Sequence, residues 1–442
     1  MKAFTIIKAG IGTGAAILLL AAAPAAQASS GATVPCSGPG GGPAGLIAAI
    51  STANASGGAM INLAAGCTYA LTAANNTNPM SGGNGLPVIT SRIILNGFRT
   101  TIAGNDTSFR ILMVTGSGNL TLQGLTVTGG HTGGFGGGIF NLEGTLTLDH
   151  SKVTGNASEG AMMSAGGGGI ASGTLGTGPL GTTSLNFSQV TGNTTSASAG
   201  GILNHAGTLT LNASQVNGNT AAVGGGGIGS GTGGMGGNGS SMLTVNFSQV
   251  DGNTSGGGPL TGAGGIANGG TAIINASQVN GNTAPGAYGG GILNHGAMTI
   301  NLSQVDSNTT PAKSSGSQGG GGGIANLNIT PLTGVPDSGI LTVNLSQVRG
   351  NSAGGIGGGI LEDGVNPDDS LGPPGGPLTL NASQVTGNTA ADGGGIYASS
   401  GSPVALKLTL VARNVPGNCF PLGSIPGCTN ELPRGFRTVP PI

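Results

Sequence analysis

Gly200-Gly-Ile-Leu-Asn-His-Ala-Gly-Thr-Leu-Thr-Leu-Asn-Ala-Ser-Gln-Val-Asn-Gly-Asn-Thr-Ala-Ala-Val-Gly-Gly-Gly-Gly-Ile228 begins and ends on a glycine run closed by isoleucine. Ile202 and Ile228 stand 26 residues apart. Between them lie an alternating apolar–polar stretch, Leu209 to Ser214, and a turn at Gly218-Asn219. The alternation predicts a strand with Leu209, Leu211 and Ala213 on one side and Thr210, Asn212 and Ser214 on the other.

Most of the chain repeats this unit. A Ser-x-Val-x-x-Asn element starts at Ser151, Ser188, Ser214, Ser248, Ser277, Ser303, Ser346 and Ser383, in steps of 37, 26, 34, 29, 26, 43 and 37 residues. A constant floor with surplus in Gly/Ser/Pro-rich stretches is one supersecondary unit with loop insertions. A unit this small cannot bury its apolar side alone, so neighbours must stack into a continuous core. The predicted fold is therefore all-β: a single-stranded, right-handed parallel β-helix, a solenoid with about three short strands per turn. Each Gly-Asn asparagine suits a corner, and stacked asparagines can hydrogen-bond from coil to coil.

Composition narrows the function. Glycine supplies 96 of 442 residues without a strict third-residue period, which excludes collagen. The net charge is −1, so nothing electrostatic argues for nucleic acid. Residues 1–28 read as a secretory signal: Lys2 and Lys8, the apolar stretch 9–23, then Ala26-Gln27-Ala28. No membrane span is expected after its removal, and the protein is expected to be secreted and monomeric, without a cofactor. The expected layout is a cap with irregular first coils over 29–119, regular coils over 120–400, and a C-terminal cap and tail over 401–442. Four cysteines in an exported chain allow three pairings. The local ones, Cys36–Cys67 and Cys419–Cys428, are favoured because each pair lies at one end of the solenoid. They would staple caps over the exposed strand edges.

Residues 44–50 (Ala-Gly-Leu-Ile-Ala-Ala-Ile), Ala65-Gly-Cys67-Thr-Tyr69-Ala-Leu71, Leu86-Pro-Val-Ile89 and Gly136-Gly-Gly-Ile139 resemble exported bacterial right-handed β-helix repeat proteins. The glycine–isoleucine and Ser-x-Val-x-x-Asn rhythm is similar to polymorphic outer-membrane protein and autotransporter-passenger repeats. The resemblance implies fold and export and leaves activity open.

Chemistry-bearing residues are sparse. From Gly160 through Val250 there is no Asp, Glu, Lys or Arg. The residue after the repeat valine is Asp251, Asn280, Asp306 and Arg349 in successive units, which predicts one stacked column. Within it Asp306 and Arg349 would pair. Asp251 and Asp306 would stand two spacings apart, roughly 10 Å, just beyond the separation inverting hydrolases use. Glu362, Asp363, Asp368 and Asp369 cluster in a Pro/Gly-rich insertion, 361–377, as weak calcium candidates without a recognised calcium-loop pattern. The main expectation is a non-catalytic structural or adhesive module that meets a glycan or cell-surface partner through a Thr/Asn/Ser-lined face. A polysaccharide lyase or hydrolase using Asp251, Asp306 and Arg349 is the alternative, and ice binding a second. A cleft with convergent charge would favour the enzyme; a flat, charge-poor exterior would favour the structural module.

Overall fold

A computed structural model describes residues 33–78, 82–105, 108–160, 165–174, 180–231, 241–256, 262–312, 319–329, 337–365 and 374–429. The signal-like segment 1–28, Asp368 and Asp369 lie outside them. The chain is a parallel β-helix. Its coil is seen most plainly in Thr208–Asn212, Gln215–Asn217, Thr220–Val223 and Ile228–Ser230, four strands where three were expected. The first two belong to one 23-stranded sheet, the third to an 8-stranded sheet and the fourth to a 12-stranded sheet. The surplus strand arises because the long alternating stretch bends once at Ala213.

That bend revises the expected facing. Ala213 takes φ +46°, in the left-handed region, and turns its side chain out to solvent, while Ser214 turns in. Ser214 Oγ then accepts the N–H of Ser188 one coil back and donates to the carbonyl of Asn212. The serine of the repeat is thus a buried staple between coils.

Register is constant. Thr208 faces Thr182 on one side and Met242 on the other, and Ile202 lies between Ile170 and Ile228. Leu209, Leu211, Val216, Ile228 and their equivalents fill the interior with essentially no exposure. Each glycine before such an isoleucine lets the backbone of the adjacent coil pass close: a Cβ on Gly168 would sit 2.2 Å from the carbonyl oxygen of Thr194.

At the next corner an asparagine ladder runs from Asn156 to Asn418. Asn219 Oδ1 accepts both the backbone N–H and the Nδ2 of Asn193. Asn219 Nδ2 donates to Asn253 Oδ1 and to the carbonyl of Val190. Buried amides are tolerated here because every polar atom finds a partner.

The N-terminal end carries the helix Gly42–Ala55, whose Leu46 and Ile50 are fully buried in the first coils. Cys36–Cys67 and Cys419–Cys428 are bonded, one pair at each end of the solenoid. Within the irregular first coils, Asn76–Asn78 and Gly82–Asn84 pair antiparallel. No helix among the described residues is long and apolar enough to cross a membrane.

Candidate functional site

The residue after the repeat valine does form one outward column. Asn217, Asp251, Asn280, Asp306, Arg349 and Thr386 follow one another in register across successive coils. The side chains of its first three members share one structural task. Asn217 Oδ1 accepts the N–H of Asp251, Asp251 Oδ1 that of Asn280, and Asn280 Oδ1 that of Asp306, at 3.0–3.1 Å. Asp251 is thereby tied into a backbone-capping ladder. Burial raises its pKa and the Asn280 N–H opposes that shift. The predicted column stands, but Asp251 does not converge with the charged pair further along it.

At Asp306 the ladder changes character. Its Oδ2 accepts Arg349 Nε at 2.8 Å. Its Oδ1 is buried without a hydrogen-bond partner. The Asp306 side chain is 11% exposed and that of Arg349 56%, so a sheltered carboxylate holds an accessible cation.

These two line a groove of about 630 Å³ with Ser307, Gly350, Gln384, Thr386, Gly387, Leu410, Ala412 and Arg413. Gln384 and Thr386 come from the strand Gln384–Thr386, and Ala412 closes the strand Leu410–Ala412. Arg413 sits at the corner beyond it with φ +58°. The groove crosses four coils along the solenoid axis, a run of about 14 Å at strand spacing.

Arg413 escaped sequence reading because its repeat copy is degenerate. Thr409-Leu-Val411-Ala-Arg413-Asn414 repeats Ser-x-Val-x-x-Asn with threonine for serine and arginine where glycine usually stands. The structure treats it as a full member: Thr409 Oγ1 accepts the Ser383 N–H, and Asn414 Oδ1 accepts that of Asn388. Allowing threonine at the first position reveals the copy.

The acidic cluster behaves otherwise than expected. Glu362 and Asp363 lie in the strand Ile360–Val365 and are buried, not part of a solvated insertion. Glu362 ends an amide ladder: Asn268 Nδ2 donates to Asn294, Asn294 to Asn326, and Asn326 to Glu362 Oε2. The next residue in register is Ala398. An asparagine at 362 would therefore have had no acceptor ahead. Burial raises the Glu362 pKa well above its ordinary value, the Asn326 hydrogen bond opposes this, and Asp363 adds to it. Asp363 Oδ1 accepts the Gly364 N–H. No three metal-ligating side chains gather among the described residues.

A buried cation was also missed. Arg110 donates from Nε to the Phe135 carbonyl and from Nη1 to Asn84 Oδ1, with its guanidinium 5.3 Å from the Phe140 ring centroid. Burial lowers its pKa to about 10.

No protein-family model matches the chain, and no curated protein matches it. Among solved structures it is similar to the A-module of the Azotobacter vinelandii mannuronan C-5 epimerase AlgE6, at 13% identity and TM-score 0.47, over 86% of this chain and 99% of that one. The pectate lyase Pel9A matches at 12% identity and TM-score 0.33, over 83% and 74%. The AlgE4 A-module of Azotobacter vinelandii matches at 12% identity and TM-score 0.35, over 84% and 94%. These named neighbours are polysaccharide epimerases and a lyase. The expectation of a non-catalytic adhesive module, with no enzyme, is corrected: the exterior is not flat and charge-poor throughout but holds a groove with convergent charge.

Proposed function

We propose that the protein is a polysaccharide-active enzyme whose substrate sugars carry carboxylates, and that it acts in the groove of Asp306, Arg349 and Arg413. The observation that carries this reading is the placing of two arginines and a sheltered carboxylate in one axial groove. A groove running along the coils suits a polymer, and Gln384 and Thr386 offer hydrogen bonds to sugar hydroxyls.

The geometry favours proton removal next to the sugar carboxylate over hydrolysis. Two-carboxylate hydrolysis needs a partner for Asp306, and Asp251 stands two coils away and is held in its ladder. Arg349 and Arg413 would offset the sugar carboxylate and so acidify the adjoining C–H. Asp306, the carboxylate lining the groove, would take that proton. The C–H electron pair then forms a C=C bond as the glycosidic C–O bond breaks, and the leaving oxygen is protonated. Reprotonation of the same carbon from the opposite side would instead invert it. We also read the protein as exported, which the two disulfides support.

The test is incubation with polyuronates and neutral glucans, with and without calcium, reading unsaturated ends and solvent deuterium at the sugar carbon. Arg349→Ala should lower polyuronate turnover by about 10²–10³-fold. Equal turnover of neutral glucans, or turnover untouched by Arg349→Ala and Asp306→Asn, would overturn the reading.

A further inference from the structure

The corner at Ala213 recurs on every coil, and on most coils an apolar side chain points out of it. Phe187, Phe247, Leu302, Leu345 and Leu408 all have φ near +50° and all stand exposed, Phe247 at 73%. Left-handed backbone favours glycine or asparagine, yet this chain holds phenylalanine and leucine there, at some conformational cost and with most of each side chain left open to solvent, although Phe187 stacks on His150. Ala213, Ala276 and Ala382 occupy the other corners, so large and small side chains alternate strictly from Phe187 to Leu302.

We propose that this ridge joins two copies of the chain in an antiparallel two-fold dimer whose axis passes between the coils of Phe247 and Ala276. About that axis Phe247 of one copy falls on Ala276 of the other, and Leu302 falls on Ala213. The two pairs nearest the axis thus set knob against notch, and at the next coil out Phe187 falls on Leu345.

The flanking surface fits the same partner. The long strands from Thr182–Asn186 to Ile340–Asn344 contain no charged residue, as the core of an interface requires. The column beside the ridge runs Asp149, Asn186, Asn212 and on through Asn381 to Lys407. Its two charges are opposite in sign and lie at opposite ends. An antiparallel pairing brings acid towards base; a parallel one sets like against like. About this axis the coils from His150 to Ala382 overlap, a run of about 34 Å at strand spacing, and with a width of about 20 Å the face approaches the roughly 800 Å² per partner of a standard interface.

Sedimentation equilibrium of the mature protein tests this, and it is independent of the polysaccharide reading because no substrate is present. The wild type should reach twice the monomer mass. Phe247→Asn with Leu302→Asn should weaken association at least 100-fold without lowering the melting temperature of the monomer, since asparagine is at home in left-handed backbone. Ala276→Phe separates interlocking from general stickiness: it adds exposed apolar area yet fills the notch, so it should weaken the dimer. A wild type that stays monomeric up to hundreds of micromolar, a dimer indifferent to the asparagine pair, or stronger association in Ala276→Phe would each overturn the proposal.

Discussion

Asn253 shows how much one buried residue carries here. Its Oδ1 accepts two donors from Asn219, and its Nδ2 donates to Asn282 Oδ1 and the carbonyl of Val216. Asn253→Ala orphans the Asn219 N–H, takes from Asn219 Nδ2 one of its two acceptors, and leaves the Val216 carbonyl without its side-chain donor. It should cost about 3 kcal/mol, since each buried unmet group costs about 1–3 kcal/mol; the shift of the urea midpoint measures it. Glu362 works in the opposite sense. Its folded pKa is raised, so between its ordinary and its raised value the native state binds more protons than the unfolded chain. Stability therefore falls as pH rises through that window. Glu362→Gln should abolish this fall, read as thermal midpoints across pH. The ladder asparagines were legible because each copy repeats them. The role of Glu362 was not, since acidic residues beside proline and glycine read as solvated loop and only the register with Asn326 reveals burial.

Among the elements, the corners rather than the strands set the coil. The inner ladder donates from Asn219 forward to Asn253, whereas the outer one donates from Asn246 back to Asn212. The two rows of amides therefore run in opposite directions along the axis. The strand pattern was readable from alternation, but the bend after Asn212 was not, because Ala213 continues the apolar rhythm while its backbone turns left-handed. Ala213→Gly tests this account. Glycine removes the strain at φ +46° but adds unfolded-state entropy, so the protein should be unchanged or up to about 1 kcal/mol more stable. Were residue 213 in ordinary strand backbone, the same change would destabilise by about 0.5–1 kcal/mol. Denaturant titration at a fixed low protein concentration separates the two.

At the scale of the whole molecule, coil length from Ser188 to Ser383 varies only outside the corners that carry these two ladders. Surplus residues enter between the third strand and the glycine–isoleucine strand, as at 256–262, and between the latter and the next long strand, as at 231–241. The Asn-x-Ser corner and the Gly-Asn corner keep the same length from Ser188 to Ser383. Each of these two corners must present a side chain in phase with the coils on both sides, and one extra residue would break that phase in two directions. The groove follows the same rule. It forms where invariant corners bring Asp306, Arg349 and Arg413 within four successive coils, so its members are fixed by register although they are far apart in sequence. Inserting Gly-Ser between Gly218 and Asn219 should therefore displace Asn219 from both neighbours and cost more than about 4 kcal/mol, the range reserved for loss of a buried network. The same dipeptide after Gly231, in a corner that already varies in length, should shift stability by no more than about 0.6 kcal/mol, the cost of doubling a loop. Melting temperatures of the two insertions, with far-ultraviolet circular dichroism to confirm the fold, decide it. Equal losses at the two sites would mean that coil geometry as a whole, not the ladders, holds the phase of the solenoid.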